Sequence, residues 1–378
     1  MIGSKRALAR RLVSWYGRAR RDLPWRVPPG APVGARPDPY HVLVSEAMLQ
    51  QTQVATVVPY FLRFVKRFPT IRELAHADEQ DVLRMWQGLG YYTRARNLRL
   101  AAQAVVHDFA GTLPRDVDSL RRLHGVGRYT AGAIASLAFD QPVPIVDGNV
   151  ARVVCRLDCI RSDPREKKTC DLIWRRAAEL VPNQDPGDFN SALMELGATV
   201  CTPRTPKCLL CPIRSHCEAF MAGMQERIPP PRAVKPKPLL RRRTLCFCRD
   251  HDGERQWLIE QRPPKGRWAG MWQFPTAPLR APIRAGQLEP TRKTRLGAVS
   301  HALTHRRYHF DVYVCNARAD RSDGTRPEQS DGPTTRWVRL SELDRFPLPR
   351  PHLLIAQMVR RRCGAGQPAA GKVGNLPS

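Results

Sequence analysis

The sequence has no uninterrupted apolar run approaching the roughly 18 residues of a membrane-spanning helix, which excludes a helical integral membrane protein. It is also poor in acidic residues. Asp and Glu number 34 against 62 Lys and Arg, which gives a formal net charge of +28 over 378 residues. Such an excess predicts a polyanionic partner, with nucleic acid first and an anionic membrane surface second. Hydrophobic residues make up 42% of the chain, enough for two or three domains with their own cores.

No signal-peptide pattern is recognisable, which argues against an oxidising compartment. Residues 1–20 contain no acidic residue and are rich in arginine, a composition that organelle transit peptides share. We favour a first surface helix instead, because Trp15 and Tyr16 continue directly into a segment with the pattern of folded structure. The predicted location is the cytoplasm of a bacterium, associated with the nucleoid, rather than an organelle.

The spacing of apolar residues predicts two domains with different secondary structure. Helical periodicity extends from about residue 5 to residue 227, in the stretches 40–68, 78–109, 115–139, 148–160, 169–181 and 188–200. Residues 228–238 hold five prolines and three cations and predict a stiff, extended linker. Short β-rich runs follow at Leu245–Cys248, Gln256–Glu260, Ala298–Leu303, Tyr308–Val314 and Thr335–Val338. The predicted domains are therefore 1–227 and 239–363, with a disordered tail at 364–378.

Four cysteines form a C-x6-C-x2-C-x5-C run at Cys201, Cys208, Cys211 and Cys217. Thiolates crowded into 17 residues indicate a metal or an iron–sulfur centre. Zinc sites usually contain two short C-x2–4-C pairs, and here only one pair is short. The wider outer gaps favour a 4Fe–4S cluster, with zinc and a disulfide framework as the alternatives.

A glycine-rich turn and a nearby carboxylate follow one another in the helical region. Gly125 and Gly127 belong to a G-x-G turn that opens a helix, so its backbone N–H groups are available to a phosphate. Asp147 precedes the next apolar-periodic helix. Its ordinary role is an N-cap, and a capped carboxylate that is fixed in place and kept ionised is also suited to catalysis.

Glu46 is the single charged residue between Val42 and Leu62. It lies in a helical run that is apolar on nearly all sides, so we expect both to be buried. Burial raises the pKa of a carboxyl group and keeps it protonated near neutrality, the state of a general acid. The alternative is a buried structural Glu held by a hydrogen bond. The Gln50–Gln53 run that follows offers uncharged donors and acceptors suited to base edges.

These features resemble the DNA glycosylase superfamily of endonuclease III, in which a helix–hairpin–helix and a fixed Asp precede a 4Fe–4S loop. The segments SEAMLQQTQVATVVPYF, QGLGYYTRARNL, VDGNVARV and FNSALMELGATVCTPRTPKCLLCP are similar to its adenine-specific MutY branch. The resemblance covers about residues 5–225. It implies a mainly α glycosylase domain with a 4Fe–4S cluster. The implied substrate is duplex DNA that contains adenine opposite 8-oxoguanine or guanine, and the protein would act as a monomer.

The resemblance also implies roles for individual residues. Glu46 would be the acid and Asp147 would stabilise the positive charge on the sugar, directly or as a transient covalent partner. Tyr129 and Asn149 would orient them. Tyr129 occupies the position where bifunctional relatives carry a lysine that forms an imine, so we predict hydrolysis without strand cleavage. The implied substrate-binding residues are Arg21, Trp25, Gln51, Thr52, Tyr91, Gly125, Gly127, Ser191, Thr304 and His305.

The second domain resembles Nudix-like domains through Gly270–Pro275, which reads GMWQFP. A Nudix hydrolase follows this motif with a Glu-rich metal-binding helix, but Glu289 is the single acidic residue between Thr276 and His301. We therefore predict an α+β domain that recognises the lesion and does not hydrolyse nucleotides. The family's Phe-Ser-His loop corresponds here to Leu303, Thr304 and His305, so the hydroxyl is kept and the aromatic ring is not.

Three further positions depart from the family pattern. Ser191 stands where the family usually has Glu or Gln in contact with adenine, an insertion around Val27–Arg36 lengthens the loop near the pocket, and His124 replaces a proline in the hairpin. Three other functions stay open from the sequence: a bifunctional pyrimidine lyase, a non-catalytic DNA-damage-binding protein and an iron–sulfur electron-transfer protein.

Overall fold

The computed structural model of the chain describes residues 2–32, 34–231, 236–283, 290–317 and 334–363. They fall into two compact units, the first made of Met1–Ala77 and Thr93–Val234, the second of Asp78–Tyr92 and Lys235–Ser378. The predicted tail 364–378 and residues 232–235 of the predicted linker lie outside the described residues. The boundaries proposed from the sequence stay a prediction, and the grouping of Asp78–Tyr92 with the second unit is not apparent from the sequence pattern.

The first unit is helical, as predicted. Its helices are α1 (Ile2–Ala19), α2 (Pro39–Leu49), α3 (Val54–Arg67), α4 (Ile71–His76), α6 (Thr93–Asp108), α7 (Val117–Arg121), α8 (Arg128–Ala133), α9 (Gly148–Leu157), α10 (Lys167–Leu180), α11 (Pro186–Thr199) and α12 (Glu218–Met221), while α5 (Glu79–Met85) belongs to the second unit. A π-helical turn, Ile134–Ala138, continues α8. Cys208–Leu210 and Arg214–His216 are 3-10 turns.

Side-chain caps explain where several helices begin. Asp38 accepts a hydrogen bond from the backbone of Tyr40 and precedes Pro39, a residue suited to a first helical position. Thr70 and Glu73 form a capping box at α4, and Asp116 caps α7. Asp38 and Asp116 lie close to the starts of the predicted stretches 40–68 and 115–139, while Thr70 begins a short helix between two predicted stretches.

The predicted helical stretch 40–68 is wrong at one point, because α2 ends at Leu49 and α3 begins at Val54. Gln51 between them adopts a positive φ of 58°, which a right-handed helix does not contain. The Gln50–Gln53 run is therefore a turn and not the polar end of one long helix.

One hydrophobic core of the first unit forms between α1, α9, α10 and α11. Leu12 and Tyr16 of α1 are buried there with Val154 of α9 and Phe189 of α11. The arginine-rich beginning of the chain is thus a packed helix, as predicted, with its apolar stripe turned to the core.

The second unit contains one sheet with the strand order β3–β2–β1–β6–β5, while β4 pairs with β1 and β7 pairs with β2. The strands are β1 (Leu239–His251), β2 (Glu254–Gln261), β3 (Trp272–Gln273), β4 (Thr276–Pro278), β5 (Pro290–Ala302), β6 (Arg307–Ala317) and β7 (Thr335–Arg339). β1 and β6 are parallel, with Leu245 opposite Tyr313, and the other pairs are antiparallel. Helix α13 (Arg350–Cys363) contributes Ile355 and Val359 to the core. The predicted α+β class is confirmed.

Within the second unit, the segment Asp78–Tyr92 is joined to the sheet by hydrogen bonds. The Gln80 side chain donates to the Gly270 carbonyl at 3.1 Å and accepts from the Trp272 indole at 3.2 Å. Gln87 accepts from the backbone N–H of Leu348 at 3.1 Å. In the part of the chain that is described, no helix combines the length and the apolar character needed to cross a membrane.

Candidate active site

One cavity of about 680 Å³ in the first unit brings together most of the residues predicted to touch substrate. Such a volume is typical of ligand pockets. It lies where α2, the π-helical turn, the start of α9 and one face of α11 converge. The predicted residues that line it are Arg21, Trp25, Glu46, Gln51, Thr52, Tyr129, Asp147, Asn149 and Ser191.

Glu46 lies on α2 with only 4% of its surface exposed, so its predicted burial is confirmed. Burial raises its pKa from 4.5 to about 7, and the nearby charge of Asp147 acts in the same direction. The Tyr129 hydroxyl donates a hydrogen bond to Glu46 Oε2 at 2.6 Å, which lowers the pKa, as does the charge of Arg26. Glu46 is thus poised to exchange a proton near neutral pH.

Tyr129 is itself buried, and this burial, with the neighbouring charges of Glu46 and Asp147, raises its pKa well above the ordinary 10.0. The phenol therefore keeps its proton at neutral pH and acts as a hydrogen-bond donor. It has no amine with which to form an imine.

Asp147 is the N-cap of α9, as predicted. Its Oδ1 accepts from the backbone N–H of Val150 at 2.7 Å and its Oδ2 from the Asn149 amide at 2.9 Å. The expectation that capping governs its ionisation needs a correction. Burial raises the pKa of Asp147 and outweighs the hydrogen bonds from Val150 and Asn149 that lower it. Glu46 and Asp147 therefore both have raised pKa values.

A buried carboxylate that the sequence analysis did not single out organises the cationic side of the cavity. Glu195 of α11 is 0% exposed. It accepts from Arg21 at 2.7 Å and from Arg26 at 2.8 Å, and these bonds outweigh burial and lower its pKa. In the sequence, Arg26 directly follows Trp25, a predicted substrate-binding residue, and this adjacency was the available sign that Arg26 lies at the cavity.

The turn between α2 and α3 is held by another arginine that the sequence analysis missed. Arg94 donates to the backbone carbonyls of Ala47, Met48 and Gln50 at 2.9, 2.8 and 2.7 Å. These groups lie at the end of α2, where carbonyls have no partner within the helix. The contact positions the turn that carries Gln51 and Thr52 at the cavity.

The two hairpin glycines lie between α7 and α8, away from the cavity lining. Gly125 has a φ of +75°, and a Cβ atom there would come within 2.7 Å of the Asn97 side chain. Gly127 is the N-cap of α8, and a Cβ atom there would meet nothing within 4 Å. The backbone conformation thus requires glycine only at position 125. At position 127, the lack of a side chain leaves the backbone accessible to an approaching group.

Tyr91, Thr304 and His305 belong to the second unit. Tyr91 is 44% exposed and has a positive φ of 47°. Its hydroxyl forms a hydrogen bond with that of Thr304. Thr304 and His305 are exposed at the tip of the turn between β5 and β6, which Leu303 and Arg306 close with a backbone hydrogen bond of 2.8 Å.

The four cysteines of the predicted centre follow α11 and flank the two 3-10 turns. Burial raises the pKa of Cys208, Cys211 and Cys217, and the nearby charge of Cys201 raises them further, so the four sulfurs share one site. None of the described cysteines forms a disulfide. Within the described residues, no three Cys, His, Asp or Glu side chains are placed to hold a single metal ion. A cluster with one thiolate on each of several irons does not require such a group.

The surroundings of this site fit an anionic cluster. Arg156, which is nearly fully buried, donates to Cys201 Sγ at 3.2 Å and to the carbonyls of Thr202 and Ile228 at 2.7 and 2.8 Å. A buried guanidinium beside a sulfur stabilises the thiolate form that a metal cluster needs.

Arg152, on the same helix, links this loop to the cavity. Its guanidinium donates to the Cys201 carbonyl at 2.8 Å, to the Gly197 carbonyl at 2.7 Å and to Asn149 Oδ1 at 2.9 Å. Arg152 lies one helical turn after Asn149, a spacing that was visible in the sequence, but its partners beyond α9 were not.

Three family models match the chain. Residues 44–179 match the HhH-GPD superfamily base excision DNA repair protein, residues 201–217 the iron–sulfur binding domain of endonuclease III, and residues 244–358 the NUDIX domain. The fold resembles the structure of a thermostable thymine-DNA glycosylase, with a TM-score of 0.51 and 28% identity over 58% of this chain and 98% of that one. Fold and site together define an iron–sulfur DNA glycosylase of base excision repair.

The similar proteins narrow this class. The adenine DNA glycosylase of Homo sapiens is 37% identical over 88% of this chain and 70% of its own length. The one from Mycolicibacterium smegmatis is 46% identical over 56% of this chain and 69% of its own. The chain belongs to the adenine DNA glycosylase family, and the resemblance drawn from its motifs is confirmed.

Proposed function

We propose that this enzyme hydrolyses the N-glycosidic bond of adenine paired with 8-oxoguanine or guanine in duplex DNA and leaves an abasic site without cutting the strand. The observation that carries the proposal is the pair Glu46 and Asp147 in one cavity, with Glu46 at a pKa of about 7. A carboxyl that is half protonated at neutral pH beside a carboxylate held by two hydrogen bonds suits cleavage of a glycosidic bond.

The reaction begins when Glu46 transfers a proton to the five-membered ring of the adenine, which makes the base a leaving group. The bond to the sugar breaks and positive charge develops there. Asp147, held by Val150 and Asn149, stabilises that charge directly or as a transient covalent partner. Water then attacks the sugar, displaces Asp147 where a covalent bond has formed, and passes a proton to the Glu46 carboxylate. Tyr129 keeps the proton on the correct oxygen of Glu46 and provides no amine for strand cleavage.

Adenine must leave the base stack to reach Glu46, at a cost of roughly a few kcal/mol. Gln51 and Tyr91 are the residues proposed to insert into the duplex, and both have a positive φ, which is uncommon for residues other than glycine. Arg21, Trp25 and Ser191 would receive the base in the cavity, with Thr52 beside Gln51. The backbone at Gly125 and Gly127 would hold a phosphate.

Recognition of the opposite base is assigned to Thr304 and His305. Both are exposed on a tight turn, and the Thr304 hydroxyl lies at hydrogen-bond range of Tyr91. A hydroxyl there can donate to or accept from a base edge, while the histidine offers a ring for a neighbouring phosphate or base.

The four cysteines would hold a 4Fe–4S cluster. The cluster would crosslink this part of the chain and keep the basic loop Thr202–Lys207 in shape for DNA. Iron and sulfide at about four each per chain, with visible charge-transfer absorbance, would support this cluster. One zinc ion per chain would contradict it. The enzyme would act as a monomer on DNA, and a cytoplasmic location stays a prediction.

The test is a single-turnover assay on duplexes with adenine opposite 8-oxoguanine or guanine, each gel run with and without alkali. Excision seen only after alkali, with a loss of about 100-fold or more in Glu46→Gln, is the expected result. Glu166→Gln, which changes an exposed glutamate at the start of α10, is the matched control. Strand breaks without alkali would favour the lyase, and binding without excision a damage-binding protein.

A further inference from the structure

A proline- and glycine-rich loop, Val27–Pro37, forms one side of the cavity that holds Glu46 and Asp147. Nine of its described residues line this cavity: Val27, Pro28, Gly30, Ala31, Pro32, Gly34, Ala35, Arg36 and Pro37. The cavity is large for a single base, since pockets of this volume hold drug-sized ligands. The position of the loop therefore decides how much of that volume a base can use.

The loop consists of two successive tight turns. The backbone N–H of Ala31 donates to the Pro28 carbonyl at 3.3 Å, and that of Ala35 to the Pro32 carbonyl at 3.0 Å. The third residue of each turn is a glycine, Gly30 at φ +81° or Gly34 at φ +83°, as a type II turn requires. Four prolines in the loop have a fixed φ, which restricts its backbone, so an anchor near its end limits the positions that it can adopt.

Arg36 is the single charged residue of the loop, and it provides such an anchor. Its guanidinium lies 2.6 Å from Asp140 Oδ2, 3.6 Å from Asp185 Oδ1 and 3.7 Å from Asp188 Oδ2. Only about one fifth of its side chain is exposed. Among the described residues of the loop, no other makes a side-chain hydrogen bond or ion pair outside it.

The partners of Arg36 lie in other segments of the first unit. Asp140 follows the π-helical turn, and its Oδ1 accepts from the backbone N–H of Gly187 at 3.0 Å. Asp185 and Asp188 belong to the beginning of α11. Arg36 therefore ties the loop to the start of α11, a helix that also lines the cavity.

One face of α11 lines the cavity and carries a short side chain, Ser191, near its middle. Asp188, Ser191, Met194 and Ala198 line the cavity at helical spacing, and Ser191 lies one turn beyond the Arg36 partner Asp188. Ser191 and the loop line the same cavity, so the position of the loop affects how much room is left beside this small side chain.

We propose that Arg36 determines which bases the pocket accepts, by holding the loop Val27–Pro37 in place as one wall of the cavity that Ser191 also lines. The inference rests on the proposed function, because it assumes that an adenine enters this cavity. Without Arg36, Asp140, Asp185 and Asp188 lose the cation that they share. The loop is then no longer held in place. A base larger than adenine then enters more readily, while adenine is held less well in the reactive position.

The experiment compares single-turnover excision of adenine and of N6-methyladenine, both placed opposite 8-oxoguanine. A pocket discriminates against one additional methyl group by ~10–200-fold, and we expect Arg36→Ala to reduce this discrimination by about tenfold. Arg36→Lys keeps the charge without the planar fork, so an intermediate value is expected. Arg176→Ala is the matched control, because it removes a half-buried pair with Asp158 away from the cavity and should leave the discrimination unchanged.

The possible results separate this inference from the proposed function. If the wild-type protein excises neither base, the proposed function fails and the inference fails with it. If the wild type excises adenine but Arg36→Ala discriminates as the wild type does, only the inference is overturned. The same holds if Arg176→Ala loses as much discrimination as Arg36→Ala. Should Arg36→Ala not fold, Asp140→Asn tests the same anchor, since the amide still accepts from Gly187 but no longer attracts Arg36. Wild-type discrimination in that variant would overturn the inference equally.

Discussion

Arg152 Nη2 lies 2.9 Å from Oδ1 of Asn149. Asn149 in turn donates to Asp147, and Arg152 also donates to the carbonyl of Cys201. One hydrogen-bonded path thus joins the four-cysteine loop to the carboxylate proposed to stabilise the sugar. Any shift of the loop changes the position of the Arg152 guanidinium, so the geometry of Asp147 depends on the integrity of the cysteine site.

Replacing Arg152 should therefore reduce the rate of excision. Arg152→Met removes the donors to Asn149 and Cys201, and a displacement of about 1 Å at a reacting group can cost up to ~100-fold in rate. Single-turnover kinetics at saturating enzyme would measure the loss. Arg165→Met, which removes a surface pair with Asp163, is the control and should match the wild type. An Arg152→Met enzyme of wild-type rate with intact visible absorbance would argue against the path.

The stability of the protein should depend on pH through Glu46. Its folded pKa of about 7 lies above the ordinary 4.5, so the protonated form is favoured in the folded state. The resulting contribution is fully present below pH 4.5 and is lost as the pH rises through 7. Relative to Glu46→Gln, the free energy of unfolding of the wild type should fall by roughly 3 kcal/mol over this window. Urea denaturation at several pH values would measure it, and parallel curves for the two proteins would contradict the assignment.

Removal of the Tyr129 hydroxyl should shift the pH dependence of excision. The hydrogen bond from Tyr129 lowers the pKa of Glu46, so Tyr129→Phe raises that pKa further. Because the acid is active when protonated, the alkaline decline in the rate should move to higher pH. Rates between pH 6 and 9 would be compared with those of Tyr60→Phe, a tyrosine on α3. A decline at unchanged pH would show that Glu46 does not govern it.

The hydroxyl of Thr304 should contribute to the choice of the opposite base. Thr304→Val keeps the shape of the side chain and removes the donor and acceptor. A neutral hydrogen bond contributes about 1 kcal/mol, so the preference for 8-oxoguanine over guanine should fall about fivefold. Binding to the two duplexes would be measured beside Thr294→Val, an exposed position on β5. An unchanged preference in Thr304→Val would remove this residue from the recognition site.

Local patterns in the sequence were sufficient for much of the site. Glu46 was identified because a single charge within a long apolar stretch is costly to bury unless it has a partner or a function, and its burial followed. Asp147 was identified as a cap because helix caps depend on neighbours within a few residues. The four cysteines needed only their spacing. In each case the pattern that identifies the group lies within a few neighbouring residues of the chain, so the sequence alone was sufficient to identify it.

Tertiary structure decided what depends on contacts between distant segments. Glu195 receives two arginines from a segment about 170 residues earlier, Arg152 reaches Cys201 from another helix, and Arg36 meets Asp140 across 104 positions. The direction of the pKa shift of Asp147 also depends on distant segments and could not be predicted from the sequence. Its cap alone predicts a lowered value, but burial depends on every helix packed around it and raises the pKa instead. Sequence therefore determined which groups are present and how each begins its helix, whereas packing decided which of them meet and how strongly each holds its proton.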